Sequence, residues 1–270
     1  MLPIGVDINN LIDDLRIFSW EARDIFLYYS KILKNPRNDI ELLINKNNND
    51  PVTMADLEVN DFIITKIREK YADVKWSILS EENVKDGAEK IIINKYKWLW
   101  VFDPLDGTKD FIQGTGNYAM HLALNYKNEP FIGVVLIPEQ GELWISNGSE
   151  TWCETNDGSV KEPRILKNKI LQNMTIVTSK NHGNKTLKNL IDKINFKKVN
   201  IMGSIGCKIA SIIRGENDLY LSLSLPGQSS PKDWDFAAPA AILKSAGGAI
   251  TNLQNEEISF NKPNYEQGGI

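Results

Sequence analysis

Residues 98–102, Trp-Leu-Trp-Val-Phe, are apolar at every position. A strand with one wet face alternates apolar and polar residues, so this run is expected to be a strand covered on both faces. Further elements must therefore pack on either side of it. The segments before it can supply one cover. Residues 10–34 carry Leu11, Leu15, Phe18, Ala22, Ile25, Phe26, Tyr29 and Leu33 at helical spacing, and the pattern stops before Pro36. Residues 54–71 repeat it with Leu57, Phe62, Ile63, Ile67 and Tyr71. A short strand is expected at 40–44, an Asn-rich loop at 45–50, a strand at 76–79 and a loop at 83–96.

The segments after it read as an antiparallel meander. Apolar runs at 118–126, 131–138 and 142–146 are joined through Asn128-Glu129-Pro130 and Pro138-Glu139-Gln140-Gly141. Beyond Pro163 strands and helices alternate: strands at 174–178, 198–201 and 218–223, helices at 184–194, 204–214 and 235–246. Gly247-Gly248 ends the last helix, and a strand is expected from 249 to 252. The expected organisation is an α+β half, residues 1–163, that carries any metal or phosphate site, followed by an α/β half, residues 164–270.

Composition removes several classes of function. Hydrophobic residues make up 42% and charged residues 24% of the 270, an ordinary globular profile. The net charge of −4 gives no basic excess for holding a nucleic-acid polymer through its phosphates. The longest apolar run, around Ile132 to Ile137, is far short of the ~20 residues a bilayer requires, and no cationic leader precedes an apolar stretch. The two cysteines, Cys153 and Cys207, are too few for a disulfide framework or a zinc site and fit a reducing, cytoplasmic setting. No Gly-x-x-x-x-Gly-Lys-Ser/Thr loop and no Gly-x-Ser-x-Gly elbow is present, which argues against a P-loop enzyme and a serine hydrolase.

The chemistry concentrates in acids at the ends of apolar segments. Asp103 closes the apolar strand, and Asp106 follows in a turn shaped by Pro104 and Gly107. Two carboxylates this close repel unless they share a proton or a cation. An all-oxygen donor set suits a hard cation, Mg²⁺ first. After Gly107, residues 108–112 can open a helix, whose free N–H groups would suit a phosphate. On spacing alone the pair also fits a helix cap and a solvated turn acid. Glu81-Glu82 after the strand at 76–79, Asp235 at a helix start and Asp56 after Pro51-Val52-Thr53 each fit ordinary caps or surface charges. Together they describe a candidate divalent-metal phosphoryl site. His121 and His182 lie in no motif and read as structural. Ser204 reads first as a helix cap.

Four motifs stand in order: Asp50-Pro51-Val52-Thr53-Met54-Ala55-Asp56, Ser80-Glu81-Glu82, Asp103-Pro104-Leu105-Asp106-Gly107-Thr108 and Trp234-Asp235-Phe236-Ala237-Ala238. They resemble the signatures of the inositol monophosphatase superfamily, Mg²⁺-dependent and lithium-sensitive phosphatases, across residues 10–270. Lys109 after the Asp-Gly-Thr resembles the CysQ-like 3'(2'),5'-bisphosphate nucleotidase branch, which serves sulfur assimilation. Gly203-Ser204 with Lys208 resembles that branch's Gly-Ser-Ser-x-Lys element, although Ile205-Gly206-Cys207 depart from it.

The resemblance implies an α-β-α-β-α layered fold and two or three Mg²⁺ ions. Glu81, Asp103 and the Leu105 carbonyl would hold the first ion; Asp103, Asp106 and Asp235 the second. Thr108, supported by Asp56, would orient the attacking water, with Glu81 nearby. Gly107 and Thr108 would bind the phosphate, and Lys109, Ser204, Lys208 and Asp235 would face the substrate. The activity implied is removal of the 3'-phosphate of 3'-phosphoadenosine 5'-phosphate, a small phosphorylated metabolite. The alternatives are an inositol or sugar phosphatase on the same scaffold, and a non-catalytic phosphate-ligand binder. The resemblance leaves the oligomeric state open between monomer and homodimer. Residues 265–270 resemble the lead-in to a last strand that such phosphatases carry, so a chain stopping there is expected to leave a sheet edge exposed.

Overall fold

The computed structural model describes residues 2–34, 43–45, 52–85, 95–165, 169–179, 185–224 and 230–270. Most of the loops expected at 45–50 and 83–96, and His182, fall outside these residues.

Helix α1 (Ile8–Leu33) starts where the Asp7 side chain accepts hydrogen bonds from the N–H groups of Asn9 and Asn10 at 2.9 and 3.0 Å. Those donors have no partner inside the helix, so the carboxylate fixes its start. Strands β1 (Leu43–Asn45) and β2 (Val52–Thr53) form a small antiparallel pair ahead of α2 (Met54–Lys70). Leu11, Leu15, Phe18, Ala22 and Phe26 of α1 and Val59, Ile63 and Ile67 of α2 are buried in one core. Next come β3 (Ser77–Ser80) and α3 (Glu81–Lys85). Residues 83–85 were expected in a loop; they complete this helical turn.

The central sheet follows: β4 (Trp98–Asp106), then α4 (Thr108–Gln113), β5 (Ala119–Tyr126), β6 (Glu129–Ile137), β7 (Glu142–Ser146), β8 (Thr151–Thr155) and β9 (Val160–Lys161). Its strand order is β3-β4-β5-β6-β7-β8-β9, with β3 and β4 parallel and the later neighbours antiparallel. The expected meander is present, and β8 and β9 extend it. All nine residues of β4 are buried. Their alternation divides them between two cores. Trp98, Trp100, Phe102 and Leu105 point to α1 and α2, while Leu99 and Val101 point to the opposite face.

The remaining elements are β10 (Thr175–Ser179), α5 (Lys185–Ile194), β11 (Lys198–Met202), α6 (Ile205–Ile213), β12 (Leu219–Tyr220) and α7 (Asp233–Ser245). Strands β11-β10-β12 make a second, parallel sheet. Helices α6 and α7 lie on the second face of the central sheet. Ile209, Ile213, Phe236, Ala238 and Ile242 pack there against Leu99, Val101 and Val135. Leu187 and Ile191 of α5 pack on Ile176 of the smaller sheet. The layers therefore run α-β-α-β-α, as expected.

One expectation is corrected at the C-terminal end. Residues 249–252 form no strand; Thr251 makes a single bridge to Glu257. Within residues 265–270, Gln267 N–H donates to Pro231 O at 2.8 Å, and Ile270 exchanges two backbone hydrogen bonds with Ser222 at 2.8 and 2.9 Å. Among the described strands, β12 pairs with β10 alone and stays at the edge of its sheet. Among the described residues, no helix is long and apolar enough to cross a membrane.

Candidate active site

Asp103 and Asp106 are three residues apart on one strand, and in a regular strand such residues face opposite sides. Here β4 and β5 slip register between them: Asp103 lies opposite His121 and Asp106 opposite Ala119. Three steps on β4 match two on β5, which is a bulge of one residue. Pro104, which has no N–H to give a ladder, sits in that step. The bulge sends Leu105 into the α1/α2 core and turns Asp106 back to the side of Asp103. Gly107 then takes φ 92°, and a Cβ there would come within 2.9 Å of Asn117 O. Only glycine makes this turn without strain, and α4 starts directly after it.

The other acids arrive from separate elements. Glu81 opens α3, where Lys85 Nζ lies 3.0 Å from its carboxylate. Asp235 sits in the first turn of α7 and accepts the Lys232 N–H at 2.5 Å through Oδ2. Asp103, Asp106 and Asp235 bring ligand oxygens to within 4.8 Å of one another. Asp103 Oδ1 accepts the Leu105 N–H at 3.0 Å. Burial, then the charges of Glu81, Asp106 and Asp235, push the Asp103 carboxyl well above the usual range. Burial, then Asp106 and Glu81, do the same to Asp235. These all-oxygen donors lie close enough to oppose one another's ionisation, a donor set that fits a hard divalent cation.

Asp56 lies on the other side of the turn. Its Oδ2 accepts the Thr53 N–H at 2.8 Å and the Thr53 hydroxyl at 2.5 Å. Burial raises its pKa to about 7 against the lowering effect of those two bonds, and Glu82 and Glu81 push the same way as burial. Its Oδ1 lies 3.4 Å from Thr108 Oγ1, which is also 3.1 Å from Leu105 O. The hydroxyl has one proton for two acceptors.

Asp106 is tied to α6. Its Oδ2 accepts the Ser204 hydroxyl at 2.6 Å and the N–H groups of Ile205 and Gly206 at 2.5 and 3.2 Å. Ser204 also caps α6 by accepting the Cys207 N–H at 3.2 Å. Lys208 is fully buried, donating from Nζ to Gly203 O at 2.5 Å, with Nζ 5.3 Å above the Tyr220 ring. Burial lowers its pKa, while Asp106, Cys207 and Asp235 oppose that fall. Lys109 is half-buried on α4, beside the turn. His121, expected to be only structural, is buried with Nε2 3.3 Å from Asp106 Oδ2. Its link to the acids is a cross-strand register, and no motif in the sequence encodes one.

The profile of the inositol monophosphatase family matches residues 22–269, nearly the whole chain. The chain belongs to the inositol monophosphatase family. Members are metal-dependent phosphatases, and this chain is one of them. Among relatives of this family member is the 3'(2'),5'-bisphosphate nucleotidase CysQ of Buchnera aphidicola, 29% identical over 215 residues, covering 80% of this chain and 76% of that one. Another is the inositol-1-monophosphatase of Bacillus subtilis, 26% identical over 234 residues, covering 86% and 83%. Among solved structures, the extragenic suppressor protein SuhB from Bartonella henselae superposes with a TM-score of 0.74 at 22% identity, covering 92% of this chain and 89% of that one. That last likeness concerns the fold.

Proposed function

We propose that this phosphatase removes the 3'-phosphate of 3'-phosphoadenosine 5'-phosphate, using Mg²⁺ and water and yielding AMP and inorganic phosphate. The observation that carries the reading is the joining of Lys109 to the phosphate turn of a chain whose relatives include bisphosphate nucleotidases. The water oxygen forms a bond to phosphorus, the bond from phosphorus to the ribose 3'-oxygen breaks, and that oxygen takes up a proton. Glu81, Asp103, the Leu105 carbonyl, Asp106 and Asp235 would hold two or three Mg²⁺ ions. When bound, such ions acidify water and neutralise charge building up on phosphoryl oxygens.

The chain's own groups do the remainder. The Thr108 hydroxyl, within reach of Asp56 and the Leu105 carbonyl, orients the attacking water. The N–H groups of Gly107 and Thr108 receive the phosphate as the chain turns into α4. Lys109 supplies positive charge for the second phosphate. Ser204 and Lys208 hold Asp106 and Gly203 in place. Two buried free thiols, Cys153 and Cys207, suit a cytoplasmic setting.

The test is phosphate release with added Mg²⁺ from a panel of 3'-phosphoadenosine 5'-phosphate, inositol 1-phosphate and fructose 1,6-bisphosphate. The reading expects the highest kcat/KM on the nucleotide. A preference for inositol 1-phosphate would instead align the chain with its Bacillus subtilis relative, and no release from any substrate would overturn phosphatase activity itself.

A further inference from the structure

His121 lies on β5 directly opposite Asp103, on the sheet face that meets α6 and α7. It has 0% exposure. Three parts of the site meet at its ring. The first is Asp106, whose Oδ2 lies 3.3 Å from Nε2. The second is the first turn of α6: a Cβ added to Gly206 would fall 2.2 Å from Nε2 and 2.8 Å from Val135 Cγ1, so the helix backbone rests on the ring edge. The third is the start of α7, where the backbone at Trp234 and Asp235 lies against the ring.

We propose that His121 is a positioning residue that spaces the first turns of α6 and α7 and holds Asp106 so that it faces Asp235 across the cation site. The proposal rests on the reading that these carboxylates hold Mg²⁺. A carboxylate oxygen only accepts, so an N–H presented at Nε2 would meet Asp106 as a donor. Glycine at 206 is the matching requirement, because any side chain there would lift α6, and with it the donors to Asp106, off the imidazole.

The test compares His121→Leu and His121→Gln with the parent, measuring Mg²⁺ affinity by calorimetry and the unfolding midpoint in chelator. Leu fills the space without a donor; Gln can place an N–H close to the position of Nε2. The proposal expects Leu to weaken Mg²⁺ binding by about tenfold or more, as loss of a group that orients a metal ligand typically does. It expects Gln to remain within about threefold of the parent, with both variants folded in chelator. Parent-like affinity in Leu, or equal weakening in Leu and Gln, would overturn it. If Leu does not fold, the Gln variant decides: parent-like affinity supports the proposal, and a tenfold loss refutes it. A parent protein that binds no Mg²⁺ would overturn the cation reading, and the positioning role with it, which is a different result from a parent that binds and a Leu variant that binds equally well.

Discussion

Replacing Asp103 by Asn should act in opposite directions with and without cation. Ionised carboxylates at the 4.8 Å that bounds the Asp103, Asp106 and Asp235 oxygens repel by about 3.5 kcal/mol per pair at an effective dielectric near 20. Burial first, and this repulsion after it, push Asp103 and Asp235 up, so the metal-free protein escapes much of the repulsion by holding protons. A carboxyl whose folded pKa is raised binds protons more tightly folded than unfolded. Its contribution to stability therefore falls as pH rises above its ordinary 3.8, through the folded value. Asn carries no such burden.

In chelator at neutral pH the variant should accordingly be the more stable by about 1–3 kcal/mol, the part of the pair repulsion that protonation leaves unrelieved. That is a rise of about 2–10 °C in midpoint for a chain of this size. The gain should shrink as pH falls toward 4. In Mg²⁺ at a thousandfold excess over its Kd, the parent gains about 4.1 kcal/mol. The variant lacks one ligand charge and should gain little. The order of midpoints in scanning fluorimetry therefore reverses between the two buffers, while turnover drops below about a tenth of the parent's. A variant less stable in both buffers, or one retaining more activity than that with saturating Mg²⁺, would refute the assignment of Asp103 to the cation.

Thr108→Val removes the hydroxyl shared between Asp56 and Leu105 O and should lower kcat about a hundredfold, with Mg²⁺ affinity by calorimetry little changed. Lys109→Thr should lower the ratio of kcat/KM for the 3',5'-bisphosphate over the 3'-monophosphate about ten- to a hundredfold, the worth of one charge-assisted contact; an unchanged ratio would remove Lys109 from substrate selection. Glu139 accepts from Lys34 Nζ at 2.8 Å and Ser30 Oγ at 2.7 Å, and although partial burial alone would raise its pKa, these bonds hold it below 4.5. That stabilisation is present above pH 4.5 and lost below it, so Glu139→Gln should cost at most about 1 kcal/mol at neutral pH, and the two melting curves should converge in acid.

The parts of this molecule that could be read from sequence are those in which local pattern and final environment agree. The helical spacing from Leu11 to Leu33 and the unbroken run from Trp98 to Phe102 each match the burial they meet. β8 was missed because Thr151-Trp152-Cys153-Glu154-Thr155 is polar at both ends; its place is set by pairing with β7. The run at 249–252 failed the other way, an apolar start with no neighbouring strand beyond the single bridge to Glu257. At the site, Asp103 and Asp106 stood out by their closeness, but that they face the same side depends on a bulge that the composition of the turn does not announce. His121 was invisible as a site residue because its meaning lies in which strand residue it opposes.

The bulge at Pro104-Leu105 has a consequence for how this chain can tolerate change. What the site requires between its two aspartates is a step count that keeps them on one face, and only then particular side chains. Leu105 contributes its side chain to the α1/α2 core, a demand that other apolar side chains of similar volume can meet. With the aspartates three residues apart, it is the bulge that satisfies the count. A change that straightened β4 here with all three steps kept would carry an unaltered Asp106 to the α1/α2 face, away from Ser204, His121 and the start of α6. Removing one of the two residues between them would satisfy the count by another route, because aspartates two apart in a regular strand already share a face.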